Sequence, residues 1–154
     1  MAESGFRVRL AVSLHAAEPI LRGTLIPAQP DDVVDVVAEA RRYATAVRRR
    51  VTYEYVLLRD VNDSPAHAGA LAALVGSGAH VNLIPANPLP GGPWRPSAPE
   101  AARRFEEVLQ RRGVNVTLRR SVGRTADAGC GQLRARRVAP PSCHEEKTRG
   151  RGPS

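Results

Sequence analysis

The sequence has no long apolar run. It contains no stretch of about twenty consecutive apolar residues, the length that a helix needs to cross a bilayer. Its first residues, Met1 to Arg9, also lack the apolar segment and small-residue cleavage site of a secretory signal. We therefore expect a cytoplasmic protein that does not work at a membrane.

Cysteine is scarce, with Cys130 and Cys143 the two examples in the chain. In a protein without a secretory signal, two cysteines indicate reduced thiols rather than a disulfide framework. Cys143 precedes His144, but a zinc site needs a second pair of ligands, so this dipeptide predicts no metal role.

Composition and charge favour one folded domain with a basic tail. The 154 residues are 42% hydrophobic, which is enough for a real core. Half of the net charge of +8 comes from residues 134–154, which hold six Arg or Lys against Glu145 and Glu146. These residues show no apolar periodicity, so we expect a core at 1–133 and a disordered tail at 134–154. A basic chain attracts nucleic acid through counterion release, but a solvated arginine-rich surface explains the charge equally well.

Strands and helices are predicted to alternate along the core. Short β-branched runs predict four strands, at 8–14, 51–58, 80–84 and 114–118. Helical spacing of apolar residues predicts helices between them, at 31–49, at 66–75 and from Ser97 to Gly113. Because helices connect successive strands, the fold class is α/β with a parallel sheet and right-handed connections. Four strands do not close a barrel, so we expect either a small open sheet or about half of a barrel.

Local signals fix several details of these elements. The loop after the first strand contains Pro19, Pro27 and Pro30, and it is predicted to lack a helix. Ser64 before Pro65 predicts a helix N-cap, and Ser97 with Glu100 three residues later predicts a capping box. The first predicted helix places one apolar face toward the core, formed by Val33, Val34, Val37, Ala40, Ala44 and Val47.

Residues that follow the strands are the informative ones, because parallel α/β proteins bind ligands at the carboxyl ends of their strands. In chain order these segments are Ser13-Leu14-His15-Ala16, residues 59–63, residues 84–88 and residues 129–133. Together they resemble the dual-specificity ribosomal and transfer RNA adenine-C2 methyltransferases of the radical-SAM superfamily. The resemblance runs from about Leu10 to Leu133 and includes Tyr-Glu-Tyr-Val-Leu-Leu at 53–58 and Val-Asn-Leu-Ile-Pro at 81–85.

The resemblance implies a fold, a reaction and a set of site residues. The fold would be the C-terminal half of a radical-SAM partial (β/α) barrel, with about four parallel strands and crossover helices. The family methylates 23S rRNA and tRNA adenine through a methyl-cysteine intermediate, so RNA is the implied partner. By the same resemblance, S-adenosyl-L-methionine is the cofactor and is contacted by Ser13, Leu14, His15 and Asn87. Cys130 would become the S-methylcysteine.

Each of these residues also has a purely structural explanation. Cys130 lies between Gly129 and Gly131, which leaves its sulfur unshielded, but a lone cysteine is more often an inert thiol. A histidine beside an apolar strand is commonly hydrogen-bonded in the core, and Asn87 before Pro88 suits a turn. The three polar residues Asp60, Asn62 and Asp63 are interpreted as loop and cap residues rather than as a metal site.

The sequence also departs from the family. The three cysteines that hold the family's 4Fe–4S cluster, spaced Cys-x3-Cys-x2-Cys, do not occur in it, and neither does the Gly-Glu motif for the cofactor's amino group. The family's Thr-Arg-Gly followed by an acidic residue appears as Ser121-Val-Gly-Arg124. Without a cluster there is no electron donor for radical chemistry.

Three hypotheses follow from these departures. The first is a fragment of the methyltransferase that is inactive alone and self-associates through an exposed sheet edge. The second is a non-catalytic pseudoenzyme that binds RNA through its basic surface. The third is an unrelated small α/β domain.

Overall fold

A computed structural model describes residues 9–27, 31–87 and 92–119. The described residues form one parallel sheet with the strand order β1-β2-β3-β4, which confirms the predicted α/β class. The strands are β1 (Ala11–Ser13), β2 (Thr52–Leu57), β3 (His80–Pro85) and β4 (Asn115–Leu118). The helices are α1 (Pro19–Leu25), α2 (Val33–Val47), α3 (Pro65–Val75) and α4 (Pro99–Arg111).

The two faces of the sheet differ in chemistry. Alternate strand residues, such as Tyr55, Leu57 and Leu83, are fully buried and belong to one apolar cluster with residues of α2, α3 and α4. Right-handed connections between strands in sequential order place the crossover helices on one face, which accounts for this single cluster. The strand residues between these buried ones lie on the opposite face of the sheet. They are mainly polar and are exposed or half-buried: Thr52, Glu54, His80, Asn82, Asn115 and Thr117.

Helix ends follow the sequence signals in most places. Asp32 caps α2 by accepting from the Val34 N–H at 2.8 Å, and Ser64 caps α3 by accepting from the His67 N–H at 3.3 Å. Gly113 has a φ of 76°, a conformation that costs glycine little, and it reverses the chain between α4 and β4. Side-chain caps at α2 and α3 and the glycine after α4 therefore agree with the sequence signals.

The prediction of a helix-free loop after the first strand was wrong. Helix α1 occupies seven residues there and begins at Pro19. Proline suits the first turn of a helix because the N–H that it lacks would have no partner within the helix. The prediction for α2 also needs correction at one residue, since Val33 and Val37 are buried but Val34 is 57% exposed.

The predicted capping box at the start of α4 was also wrong. Ala98 is the N-cap residue, and no side-chain hydrogen bond caps the helix. The Ser97 hydroxyl instead donates to Asp63 Oδ2 at 2.6 Å. An isolated antiparallel bridge between Leu58 and Pro96 lies beside this contact. Ser97 therefore ties the start of α4 to the turn between β2 and α3 through a hydrogen bond to a carboxylate.

Some predictions fall outside the described residues. The boundary between a core at 1–133 and a tail at 134–154 is one of these, as is the segment 121–124. Among the helices that the structure does describe, none is long and apolar enough to span a membrane.

Candidate functional site

The carboxyl end of β1 makes a sharp, partly exposed bend. Ser13 ends the strand and is exposed, whereas Leu14 is fully buried and its N–H donates to the Glu54 carbonyl at 2.9 Å. His15 follows with a φ of 59°, in the left-handed region. For a residue with a side chain this conformation costs roughly 1–2 kcal/mol, so the surrounding contacts must hold it. Ser13 and His15 form the accessible part of this segment.

The His15 imidazole is held by the backbone of β2. Its Nδ1 atom accepts a hydrogen bond from the Val56 N–H at 3.1 Å. Burial lowers the pKa of His15 below 6.5, with Glu54 opposing this effect and the Arg22 charge adding to it. A neutral ring that accepts at Nδ1 carries its proton on Nε2. His15 can therefore offer an Nε2–H donor near neutral pH.

Asn62 connects this bend to the turn after β2. Its side chain is fully buried, and its Oδ1 accepts from the Leu58 N–H at 2.7 Å. Its Nδ2 donates to the His15 carbonyl and to the Val56 carbonyl, both at 2.8 Å. The sequence predicts Asn62 only as one of three turn residues, so this role is a finding of the structure. Turn-forming asparagines are common, and nothing in the local sequence separates a buried one from the others.

Asn87 lies on the same edge of the sheet. It comes two residues after β3 and is exposed, and the preceding residue, Ala86, donates its N–H to the Leu57 carbonyl at 3.2 Å. Strands β1 and β3 flank β2, and neighbouring strands are about 4.8 Å apart, so the ends of β1 and β3 are separated by roughly 10 Å. The structure thus brings Ser13, His15 and Asn87 to one edge, at a separation that a nucleoside-sized ligand can bridge.

A surface cleft lies beside this edge. It has a volume of about 510 Å³ and lies between the turn after β2 and the start of α4. Its lining includes the two cations Arg59 and Arg104 and the two anions Asp60 and Asp63. Asp63 is already engaged by the Ser97 hydroxyl and by the Asp60 N–H at 3.0 Å. The arginines are the groups in this cleft that remain suited to a phosphate.

The remaining predicted site residue, Cys130, lies outside the described residues. Its position relative to Ser13 and Asn87 therefore stays a prediction.

The family that the sequence resembles uses two cofactors, and the residues of this chain fit one of them but not the other. S-adenosyl-L-methionine carries carboxylate, amine, ribose and adenine groups, which the Ser13 hydroxyl, the His15 ring and the Asn87 amide can hydrogen-bond. A 4Fe–4S cluster held by three cysteines does not fit, because the sequence contains two, Cys130 and Cys143. The part of the chain that the structure describes also holds no group of three His, Cys, Asp or Glu suited to a metal ion.

Comparisons with known proteins agree with the fold. No protein-family model matches the chain. The chain is 49% identical over 140 residues to the probable dual-specificity RNA methyltransferase RlmN of Acidothermus cellulolyticus, covering 88% of the chain and 33% of that protein. It is 46% identical over 136 residues to the ribosomal RNA large subunit methyltransferase N of Nitrosopumilus maritimus, covering 87% and 38%.

A solved structure gives the same result. The crystal structure of a radical SAM methyltransferase from Sphaerobacter thermophilus matches with a TM-score of 0.76 and 45% identity, over 85% of this chain and 39% of that one. The chain spans between a third and two fifths of the length of these relatives. By sequence and by fold, the chain is thus similar to one part of the radical-SAM RNA methyltransferases that include RlmN.

Proposed function

We propose that this chain forms the part of an RNA adenine-C2 methyltransferase that contacts S-adenosyl-L-methionine and carries the methyl-accepting cysteine. The observation that carries the proposal is the bend at the end of β1. There, a left-handed His15 with a neutral ring lies on the same sheet edge as Asn87. The substrates would be ribosomal and transfer RNA, and the compartment would be the cytoplasm, where such RNA and reduced thiols occur together.

The proposed contacts with the cofactor come from three side chains. The Ser13 hydroxyl can donate and accept, the His15 Nε2–H can donate, and the Asn87 amide can do both. Leu14 is fully buried between Ser13 and His15, so we assign it the role of fixing the bend in the core. Together these groups would orient the cofactor across the ends of β1 and β3.

Cys130 is the proposed methyl acceptor. When bound, S-adenosyl-L-methionine supplies a methyl group on a positively charged sulfur. The Cys130 thiol would lose its proton to solvent, and its Sγ would accept the methyl group. The Sγ–carbon bond would form as the carbon–sulfonium bond breaks, with both electrons of that bond remaining on the departing sulfur. The glycines at 129 and 131 have no side chains that would shield this sulfur.

No radical step is assigned to residues of this chain. The sequence does not supply the three cysteines that the family uses for its cluster. The relatives are two to three times longer than the span they share with this chain. We propose that their cluster ligands belong to that additional length, so this chain needs it, or a partner that supplies it, for turnover.

Titration calorimetry of the 154-residue chain with S-adenosyl-L-methionine tests the proposal. Ser13→Ala and Asn87→Ala each remove one polar contact and are expected to weaken binding about threefold to tenfold. Gln110→Ala is the matched control, because Gln110 is exposed near the end of α4, at the opposite edge of the sheet. Equal affinity of all four proteins, or no binding by any of them, would refute the proposed site.

A second candidate function is RNA binding without catalysis. The net charge of +8 favours it, as does the change at Ser121-Val-Gly-Arg124 from the family's Thr-Arg-Gly and acidic pattern. Fluorescence anisotropy with a labelled RNA hairpin, at two salt concentrations, would measure it. Salt-dependent RNA binding by a chain that does not bind S-adenosyl-L-methionine would favour this function over the first.

A further inference from the structure

We infer that Asn62 is the positioning residue for the cofactor-contacting bend and that it holds His15 in its left-handed conformation and in its Nε2–H tautomer. This inference rests on the proposed function, because the bend matters only if it contacts a ligand. Asn62 itself is fully buried, so it acts through His15 rather than on the cofactor.

The hydrogen bonds of three residues close into a ring. The Val56 N–H donates to His15 Nδ1, and the Val56 carbonyl accepts from Asn62 Nδ2. The second hydrogen of Asn62 Nδ2 goes to the His15 carbonyl, which completes the ring. The side chains of His15 and Asn62 thus satisfy both backbone groups of Val56, at the point where β1 has ended and can no longer pair with β2.

The left-handed conformation explains why an amide is needed. His15 turns away from the strand direction, so its carbonyl requires a donor from elsewhere. The Asn62 amide supplies two donors from one nitrogen and accepts from the Leu58 N–H through its oxygen. An aspartate of the same shape would keep the acceptor but would place a carboxylate oxygen against two carbonyls. Alanine or serine could not bridge all three groups.

The core fixes Asn62 in turn. The Tyr55 hydroxyl donates to the Asn62 carbonyl at 2.9 Å, and burial raises the pKa of Tyr55, which keeps the hydroxyl protonated as a donor. The Tyr55 ring packs against Phe105 of α4 with its centroid 5.2 Å away. The position of the bend is therefore linked to the packing of α4 through Tyr55 and Asn62.

Asn62→Asp in the full chain tests the inference with two readouts. The first is the ¹⁵N chemical shifts of the His15 ring together with the hydrogen-exchange rate of the Val56 amide, both without cofactor. The second is the affinity for S-adenosyl-L-methionine by calorimetry. We expect loss of the single Nε2–H tautomer, faster Val56 exchange and at least about tenfold weaker binding, because two hydrogen bonds are removed.

Val75→Ala is the control, since Val75 is buried at the C-terminal end of α3, away from the bend. It lowers stability through a cavity but should leave the His15 signals and the affinity unchanged. A folded Asn62→Asp protein with wild-type His15 signals and wild-type affinity would overturn the inference. The inference would also be overturned if Val75→Ala changed the His15 signals and the affinity as much as Asn62→Asp does. Lower stability alone would then explain the changes in both variants.

Two further outcomes are also decisive. If Asn62→Asp does not fold, Tyr55→Phe removes one anchor of Asn62 and leaves its side chain in place. We expect the same changes in the His15 signals at smaller amplitude, and unchanged signals would overturn the inference. If the wild-type chain binds no S-adenosyl-L-methionine, the proposed function fails, and the His15 and Val56 signals alone decide whether Asn62 positions the bend.

Discussion

The free energy of unfolding should depend strongly on Asn62 and weakly on its neighbour Asp63. Both residues lie in the turn between β2 and α3, and the side chain of each makes more than one hydrogen bond. They differ in burial, since Asn62 is fully buried and Asp63 is half-buried. Replacing each in turn with alanine therefore separates burial from hydrogen bonding.

The magnitude follows from the groups that lose their partners. Asn62→Ala removes the partner of the Leu58 N–H, the His15 carbonyl and the Val56 carbonyl. A buried polar group without a partner costs about 1–3 kcal/mol. Three such groups, with some relief from water entering the space, should cost about 3–5 kcal/mol. That is a large part of the roughly 5–15 kcal/mol that stabilises a typical domain.

Asp63→Ala should cost much less. Its partners are the Asp60 N–H, which is exposed, and the Ser97 hydroxyl, which is buried but also reaches the Ala98 carbonyl at 3.5 Å. Water can replace a partner at a half-exposed position, so we expect a loss of about 1 kcal/mol. Urea unfolding followed by circular dichroism measures both values. Similar losses for the two variants would refute the argument that burial of the Asn62 hydrogen bonds stabilises this edge.

Three further predictions concern pH, chemistry and association. The pKa of His15 is lowered, so the stability given by its neutral ring is complete above about pH 6.5 and is lost as the pH falls further. His15→Asn, which tolerates a positive φ, should remove this part of the pH dependence of the urea midpoint; an unchanged profile would contradict it. In a reaction completed with the rest of the enzyme, Cys130→Ala should abolish methyl labelling of the protein and Cys143→Ala should not. Among the described residues β1 pairs on one side only, so Ala11→Pro should reduce self-association in sedimentation experiments, and a monomeric wild-type chain would contradict this.

The order and type of the strands and crossover helices could be predicted because they depend on local periodicity. The strand predicted at 51–58 is found at Thr52–Leu57, and the helix predicted at 66–75 is found at Pro65–Val75. The errors arose where one residue type suits two structures. Pro19 fits a loop and a first helical turn equally well, and Ser97 can cap a helix or bond to a distant carboxylate.

The site could be predicted only as far as its motif residues. Ser13, His15 and Asn87 follow strands, so their common edge follows from the parallel sheet alone. Asn62 bonds to the His15 carbonyl across 47 residues of sequence, which no local pattern can predict. The left-handed φ of His15 could not be predicted either, because histidine prefers this conformation only weakly. These two features depend on each other, because the conformation of His15 leaves a carbonyl that Asn62 must satisfy.

The strained backbone at the end of β1 is therefore stabilised by the hydrogen bonds around it. A left-handed His15 raises the free energy of the folded chain, and the ring of hydrogen bonds through Val56 and Asn62 offsets that cost. The same ring keeps Nδ1 unprotonated, so the strain and the donor at Nε2 have one cause. A relaxed, extended residue at this position would keep its backbone in the strand direction and would not need Asn62. The bend is thus a strained feature that its own hydrogen bonds hold in place, and contact with a ligand is the role that we propose for it.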